Sequence, residues 1–185
     1  LHEIRLGSFA EPAWKVSDEQ DEVYARNNYD TPRYWTRMEA VVTNDPGREG
    51  RFLAVRLLPP PIERRLMPWY TVLRPPVPLV IPGKAAALGV WVRAASDWGR
   101  IVFSLRDGRG ERWISVGTRD QWNCNDVHGW TMFNFDGWRY VRMELPANSE
   151  YDGFREFGST WWGHYGGDGM VDLPLTLEKV MIERR

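Results

Sequence analysis

The hydrophobic pattern of the chain is one of short alternating segments with turn residues between them. Alternation of apolar and polar residues with a period of two is typical of β-strands that bury one face. The candidate strands are residues 37–43, 51–58, 69–73, 77–81, 86–95, 100–106, 111–117, 138–145 and 175–184. Proline, glycine and Asn-Asp breakers separate them, and Asp107-Gly108 predicts a tight hairpin turn.

Helical periodicity is nearly absent. Ser17–Arg26 is the best helical candidate, but it is acidic and has few apolar positions, and residues 151–157 predict only a short turn. Short strands without intervening helices favour a sandwich over βαβ units. We therefore predict an all-β fold, a β-sandwich jelly roll that forms a single domain over residues 1–185.

The phases of the candidate strands predict two different faces. In residues 138–145, Val141 and Met143 lie on one face. The opposite face of this strand and of other strands carries aromatic side chains among arginine and serine: Trp91, Trp113, Trp138 and Tyr140. If these strands share a sheet, they form an aromatic platform with the chemistry of a sugar-binding surface. Equally compatible with the pattern is a fold in which loops or the N-terminal segment cover this face.

Composition narrows the classes of function. The 185 residues carry 24 Lys+Arg and 25 Asp+Glu, a balance that excludes a polybasic nucleic-acid arm. No apolar run reaches the roughly 18 residues of a membrane-spanning helix, so we predict neither a nucleic-acid nor a membrane partner. The single cysteine, Cys124, excludes an internal disulfide framework. The 11 tryptophans exceed the 7 tyrosines and the 7 phenylalanines, which is more tryptophan than a core requires.

Two segments, 120–136 and 158–168, are predicted to form long loops that combine tryptophan with polar side chains. Binding residues concentrate on loops that a rigid scaffold holds. Sugar rings offer C–H faces that stack on tryptophan and hydroxyls that need polar partners. The predicted ligand-binding residues are Trp122, Asn125, Asp126, His128, Trp130, Trp161, Trp162, His164 and Tyr165. The alternative is that some of these tryptophans plug the ends of the sandwich.

Catalytic signatures are absent from the sequence. Glycoside hydrolysis needs two carboxylates that flank the bond, and candidates without diagnostic spacing are Asp126, Asp136, Glu144, Asp152 and Glu156. A lyase could use His164, Tyr165 and Arg139 as acid, base and charge neutraliser. His128 and His164 lack the spacing of a zinc site. We therefore assign no catalytic residue.

Several motifs, taken in their order along the chain, are similar to those of a known domain family. The motifs are Leu6 to Trp14 (LGSFAEPAW), Leu88 to Val92 (LGVWV), Asp136 to Pro146 (DGWRYVRMELP) and Val171 to Ile182. They resemble the galactose-binding-like, carbohydrate-binding-module-like jelly-roll domains of secreted bacterial glycan-active proteins. The resemblance implies a general glycan-binding role, a secreted or cell-surface location and a structural calcium, here near Glu11 and Asp172.

The sequence therefore predicts a non-catalytic domain that binds polysaccharide or oligosaccharide through its Trp-rich loops. Because the chain begins at Leu1 without an initiator methionine or signal segment, we expect a domain excised from a larger protein, with a neighbouring catalytic domain as a candidate partner. One alternative is an accessory module that packs on a neighbouring domain of the parent protein. Another is a small jelly-roll glycoside hydrolase or polysaccharide lyase.

Overall fold

A computed structural model describes residues 3–4, 6–25, 33–58, 68–118, 133–146 and 160–184, with the backbone alone for 116–118 and 160–161. Strands account for 58% of the described residues and helix for 3%. This confirms the predicted all-β fold. No helix in this described part of the chain is long and apolar enough to span a membrane.

The described ranges contain twelve strands and one helical turn. The elements, in chain order, are β1 (Lys15–Ser17), α1 (Glu22–Ala25), β2 (Tyr34–Trp35), β3 (Met38–Asp45), β4 (Arg48–Leu57), β5 (Trp69–Arg74), β6 (Leu79–Ile81), β7 (Ala87–Ala95), β8 (Arg100–Arg106), β9 (Arg112–Thr118), β10 (Asp136–Glu144), β11 (Thr160–Tyr165) and β12 (Leu175–Arg184). Every candidate strand overlaps one of them, while β1, β2 and β11 are additional. The helix predicted over Ser17–Arg26 shrinks to the four residues of α1.

The strands form two layers around one main core. An eight-stranded sheet has the order β1-β5-β12-β8-β9-β11, with β2 beside β5 and β6 beside β12. The pairs β7–β10 and β3–β4 are separate two-stranded sheets. Leu105 and Val180 of the large sheet share a buried cluster with Met143 of β10 and Leu57 of β4. The chain is thus an all-β sandwich, and the jelly-roll connectivity stays a prediction.

Register places Trp113 in this core. Trp113 of β9 lies opposite Leu105 of β8, and directly opposed residues of an antiparallel pair project to the same face. Since Leu105 faces the core, Trp113 does too and is fully buried. Trp113 therefore does not share a face with Trp91, as the predicted platform required. The reason is that β7 and β9 belong to different sheets, so their phases are independent.

The N-terminal segment, residues 17–25, covers the outer face of the large sheet. Tyr24 packs there in a second buried cluster with Val102 of β8, Ile114 of β9 and Met181 of β12. Tyr24 and Tyr70 meet edge to face with ring centroids 5.1 Å apart. The interpretation in which the N-terminal segment covers a mixed face therefore applies to this sheet.

Buried ion pairs fasten the N-terminal segment to the sheet. Asp21 is an ion-pair partner of Arg112 on β9, and Lys179 Nζ of β12 lies 2.8 Å from Asp21 Oδ2. Near α1, the buried Glu183 carboxylate accepts hydrogen bonds from Tyr24 Oη at 2.5 Å and Arg33 Nε at 2.7 Å. These contacts explain why charged residues occupy the outward phase of strands that lie inside the molecule.

Acid is expected to weaken this attachment through Asp21. Burial opposes its ionisation, but hydrogen bonds and the charge of Arg112, together with Lys179, outweigh burial and hold the pKa of Asp21 at about 2. Because this pKa lies below the ordinary value of 3.8, the contribution of Asp21 is full above that value and is lost as pH falls towards about 2. We expect a loss of about 2 kcal/mol in the free energy of unfolding across this window.

Urea titrations at a series of pH values, followed by circular dichroism, measure this loss. Asp21→Asn removes the titrating group, so the variant is less stable above the window but has a flatter pH dependence inside it. An Asp21→Asn profile as steep as the parent profile would assign the acid sensitivity to other carboxylates.

Candidate functional site: an aromatic–arginine surface

Five predicted ligand-binding residues lie outside the described residues: Trp122, Asn125, Asp126, His128 and Trp130. Trp161 lies on β11, where the backbone alone is described. The loop that carries these five residues stays a prediction.

Residues 160–165 are not the predicted loop. They form β11 at the edge of the large sheet, paired with β9 through a register shift between Trp161 and Trp162. Trp162 is 2% exposed and donates from Nε1 to the Glu144 carbonyl oxygen at 2.7 Å. Its ring faces are therefore covered by protein instead of being open to a sugar. The prediction of a loop failed because the surrounding glycines and polar residues mask a short edge strand.

His164 and Tyr165 lie on the same strand but do not meet at one site. Tyr165 packs against the second cluster below the N-terminal segment. His164 Nδ1 lies 2.8 Å from Oε1 of the buried Glu111, whose carboxylate also accepts the Gly169 amide. A Cβ at Gly167 would approach Glu111 Oε2 to 2.3 Å. Glu111 therefore fixes the connection between β11 and β12 closely against β9.

The predicted calcium residues each face an arginine. Glu11 Oε1 lies 2.8 Å from Arg51 Nη1, and Asp172 Oδ2 lies 3.3 Å from Arg109 Nε. A guanidinium beside a carboxylate disfavours a second cation, so these two residues are a poor fit for calcium. Within the described ranges, no group of three or more His, Cys, Asp or Glu residues could hold a metal ion. Calcium binding stays a prediction.

Two of the candidate catalytic carboxylates are far apart. Asp136 begins β10 and Glu144 ends it. At about 3.4 Å per residue, their Cα atoms are separated by about 27 Å. The carboxyl groups of a glycosidase pair lie about 5 to 9.5 Å apart. Asp136 and Glu144 therefore cannot act together on one glycosidic bond.

An exposed group of aromatic side chains occupies the outer face of β7–β10. Trp91 and Tyr140 are directly opposed in the ladder, and their ring centroids are 5.5 Å apart. Trp91 is 47% exposed and Tyr140 is 41% exposed. The inward phase of the same strands, which includes Val90 and Val141, packs in the main core. This confirms the predicted alternation for β7 and β10.

The β3–β4 pair adds a cation and a further ring to this face. The Arg48 guanidinium carbon lies 3.9 Å from the centroid of Trp91 and 5.6 Å from that of Trp138. Phe52 contacts Trp138 with centroids 4.6 Å apart. We call Arg48, Phe52, Trp91, Trp138 and Tyr140 the aromatic–arginine surface.

Two local features hold this surface in place. A Cβ at Gly89 would lie 2.1 Å from Tyr140 Oη, so the Tyr140 ring can lie across β7 only because residue 89 is glycine. At the β3–β4 turn, Asp45 accepts a hydrogen bond from the Gly47 amide and pairs with Arg93 of β7. The Gly47 amide, with smaller contributions from other groups including Arg93, lowers the pKa of Asp45.

Sequence reasoning identified Trp91, Trp138 and Tyr140 as one face but missed Arg48 and Phe52. Phe52 lies in the candidate strand 51–58, but Arg48 precedes that strand and the pairing of β3 with β4 is irregular between the two residues, so alternation gave no signal for Arg48. The approach of β4 to β7–β10 is a long-range contact that the local pattern does not encode. The alternation could therefore predict the rings but not the guanidinium stacked on them.

Comparisons with known proteins give limited similarity. No protein-family model and no solved structure matches the chain. A stretch of 88 residues, 48% of the chain, is 32% identical to a protein of Brachyspira hyodysenteriae (strain ATCC 49526 / WA1) described as "Putative flagellar filament outer layer-like protein". The aligned stretch covers 34% of that protein, so the chain spans about a third of the length of the curated relative that it matches.

Proposed function

We propose that this chain is a non-catalytic domain of a cell-surface protein layer, in which the aromatic–arginine surface binds a neighbouring protein subunit. The observation that carries the proposal is the exposed Trp91–Tyr140 pair with Arg48 stacked on Trp91. Tryptophan, tyrosine and arginine are the residues that most often dominate the energy of protein–protein interfaces.

The contact between Arg48 and the Trp91 ring favours a protein partner over a sugar. The Arg48 guanidinium already lies over its ring, where a sugar ring would otherwise stack. A cation held on an aromatic face retains donors for a carboxylate or a backbone carbonyl of a partner. Since the packing of Gly89 and Tyr140 fixes this side of the surface, less conformational entropy is lost on binding.

The relative supports the cell-surface part of the proposal. The protein to which this chain is similar is described as an outer layer-like protein of the flagellar filament. A layer requires each subunit to bind a neighbour through its outer surface. An exposed patch rimmed by polar residues is suited to that role.

Immunogold labelling of the source cells and of their isolated flagellar filaments tests the location. We expect gold particles along the outside of the filaments, with a deletion strain of the gene as the control for antibody specificity. Labelling confined to the cytoplasm would contradict the proposal.

Glycan binding is the second candidate, favoured by the two adjacent exposed rings of Trp91 and Tyr140. The exposed Arg142 on the same face of β10 would offer donors to sugar hydroxyls. In this alternative the domain serves a secreted glycan-active protein, and a catalytic domain of the parent chain is its partner.

Affinity electrophoresis against a panel of polysaccharides tests this candidate. Retardation by one polysaccharide is expected to be lost in Trp91→Ala and kept in Val77→Ala, which alters an exposed valine elsewhere. Equal migration with and without every polysaccharide would contradict glycan binding by this surface.

A further inference from the structure

The turn between β7 and β8 presents an exposed tryptophan in an unfavourable backbone conformation. Trp98 is 56% exposed and has a φ of 57°, and Ser96, two residues earlier, has a φ of 50°. The left-handed region is rare for residues with a Cβ and is a genuine outlier for a bulky side chain. We call residues 96–99 the Trp98 turn.

Hydrogen bonds hold this turn rigidly. Ser96 Oγ donates to Asp136 Oδ1 at 3.1 Å, and the Ser96 amide donates to the Phe135 carbonyl oxygen at 3.0 Å. The Gly99 amide donates to Asp97 Oδ1 at 3.2 Å. A Cβ at Gly99 would approach the Glu183 carbonyl oxygen to 2.5 Å, so the turn packs closely on β12. Trp98 is therefore presented by a fixed backbone.

The indole of Trp98 contributes little to the stability of the domain. Glycine would adopt this φ without strain, and an indole that is more than half exposed buries little area within its own domain. Strained residues persist where the surrounding structure enforces them, often at binding sites. A rigid, exposed tryptophan is a pre-organised anchor for a partner.

The charges beside this turn complement those of the aromatic–arginine surface. Asp97 is exposed and forms no ion pair with any described residue, whereas Asp136 lies two residues before Trp138 on the same face of β10 and borders the aromatic–arginine surface. Arg48 likewise has no carboxylate partner in the described part of the chain. Trp91 precedes Ala95, the last residue of β7, by four residues, or about 14 Å along the strand. The acidic anchor, which is Trp98 with Asp97, follows that end of β7 and is thus a different patch from the cationic surface.

We propose that the Trp98 turn of one copy docks on the aromatic–arginine surface of a second copy. Asp97 would face Arg48, and the Trp98 indole would pack beside Trp91 and Tyr140. Because the two patches differ, the contact is heterologous and propagates from copy to copy instead of closing into a dimer. Because the net charge is only −1, copies of the chain repel one another weakly at long range. This inference rests on the proposed function, since a layer needs such a repeating contact.

Complementation between two variants tests the contact. Trp98→Gly removes the anchor and keeps the surface, while Trp91→Ala does the reverse. In sedimentation velocity we expect the parent chain to form species that grow with concentration and each variant alone to stay monomeric. An equimolar mixture of the two should stop at dimers, because only one productive contact can form. Val77→Ala is the matched control and should associate like the parent.

The melting temperature of Trp98→Gly separates loss of contact from loss of folding. We expect it to equal or exceed that of the parent, because glycine suits the turn. A parent that stays monomeric up to millimolar concentration, or a Trp98→Gly variant that associates like the parent, would overturn the inference. If either result were obtained and the filaments were still labelled, the proposed function would stand without this contact. Growing assemblies without filament labelling would remove the proposed function and keep the contact.

Discussion

Replacing Glu183 with alanine is expected to lower the free energy of unfolding by about 3–5 kcal/mol, the range for removing one partner of a buried ion pair. The Glu183 side chain is fully buried and accepts from Arg33, Arg100 and Tyr24. Without the carboxylate, two guanidinium groups remain buried without the counter-charge that Glu183 supplies. Because Tyr24 lies in α1 and Arg33 follows α1 in the chain, the N-terminal segment should loosen first.

Glu178→Ala is the matched control for this prediction. Glu178 lies on the same strand and also pairs with an arginine, since Arg106 Nε is 2.7 Å from its carboxylate. This pair is at the surface, so its loss should lower the free energy of unfolding by at most about 1 kcal/mol. Urea unfolding followed by tryptophan fluorescence measures both variants. Equal effects of Glu183→Ala and Glu178→Ala would show that burial does not control the contribution of the Glu183 pairs.

Replacing Trp162 with alanine is expected to destabilise the domain by about 3–5 kcal/mol through the cavity that it leaves in the core. The side chain packs in the main cluster, and its Nε1 supplies the hydrogen bond to the Glu144 carbonyl oxygen. Loss of that donor adds about 1–3 kcal/mol if the carbonyl stays buried without a partner. Trp162→Phe should recover part of the loss, since it restores apolar volume but not the donor.

Trp91→Ala is the control for Trp162→Ala, because it makes the same substitution at an exposed position. Its effect on the free energy of unfolding should stay near 1 kcal/mol, because the indole is 47% exposed and leaves no closed cavity. Thermal and urea unfolding of both variants give the comparison. If Trp91→Ala destabilised the domain as much as Trp162→Ala, the aromatic–arginine surface would be part of the core instead of a contact surface.

The buried ion pairs below the N-terminal segment have a further consequence for the fold. An apolar surface alone would let a polar segment such as residues 17–25 slide, whereas Asp21 with Arg112 and Lys179 fixes its position. Buried polar pairs of this kind can specify register more than they add stability. The same charges make the outer phases of β8, β9 and β12 look solvent-facing in the sequence.

The sequence by itself determined nine of the twelve strands in the described residues and which residues alternate on each of the nine. The period of two is a property of the extended backbone, so Val141 and Tyr140 take opposite faces of β10 whatever surrounds them. The same reasoning missed β11, because its glycines weaken the alternation around Trp162. The five predicted ligand residues between Trp122 and Trp130 stay predictions that the sequence alone supports.

Only the tertiary structure decided which strands share a sheet and what covers each face. Trp91 and Trp113 have equivalent positions in their strand patterns, yet one is exposed and the other is buried. Pairing and register depend on contacts between residues far apart in the chain, and a shift of one residue moves every side chain to the opposite face. Alternation therefore determines that each strand has two different faces, while long-range packing determines which of the two meets solvent.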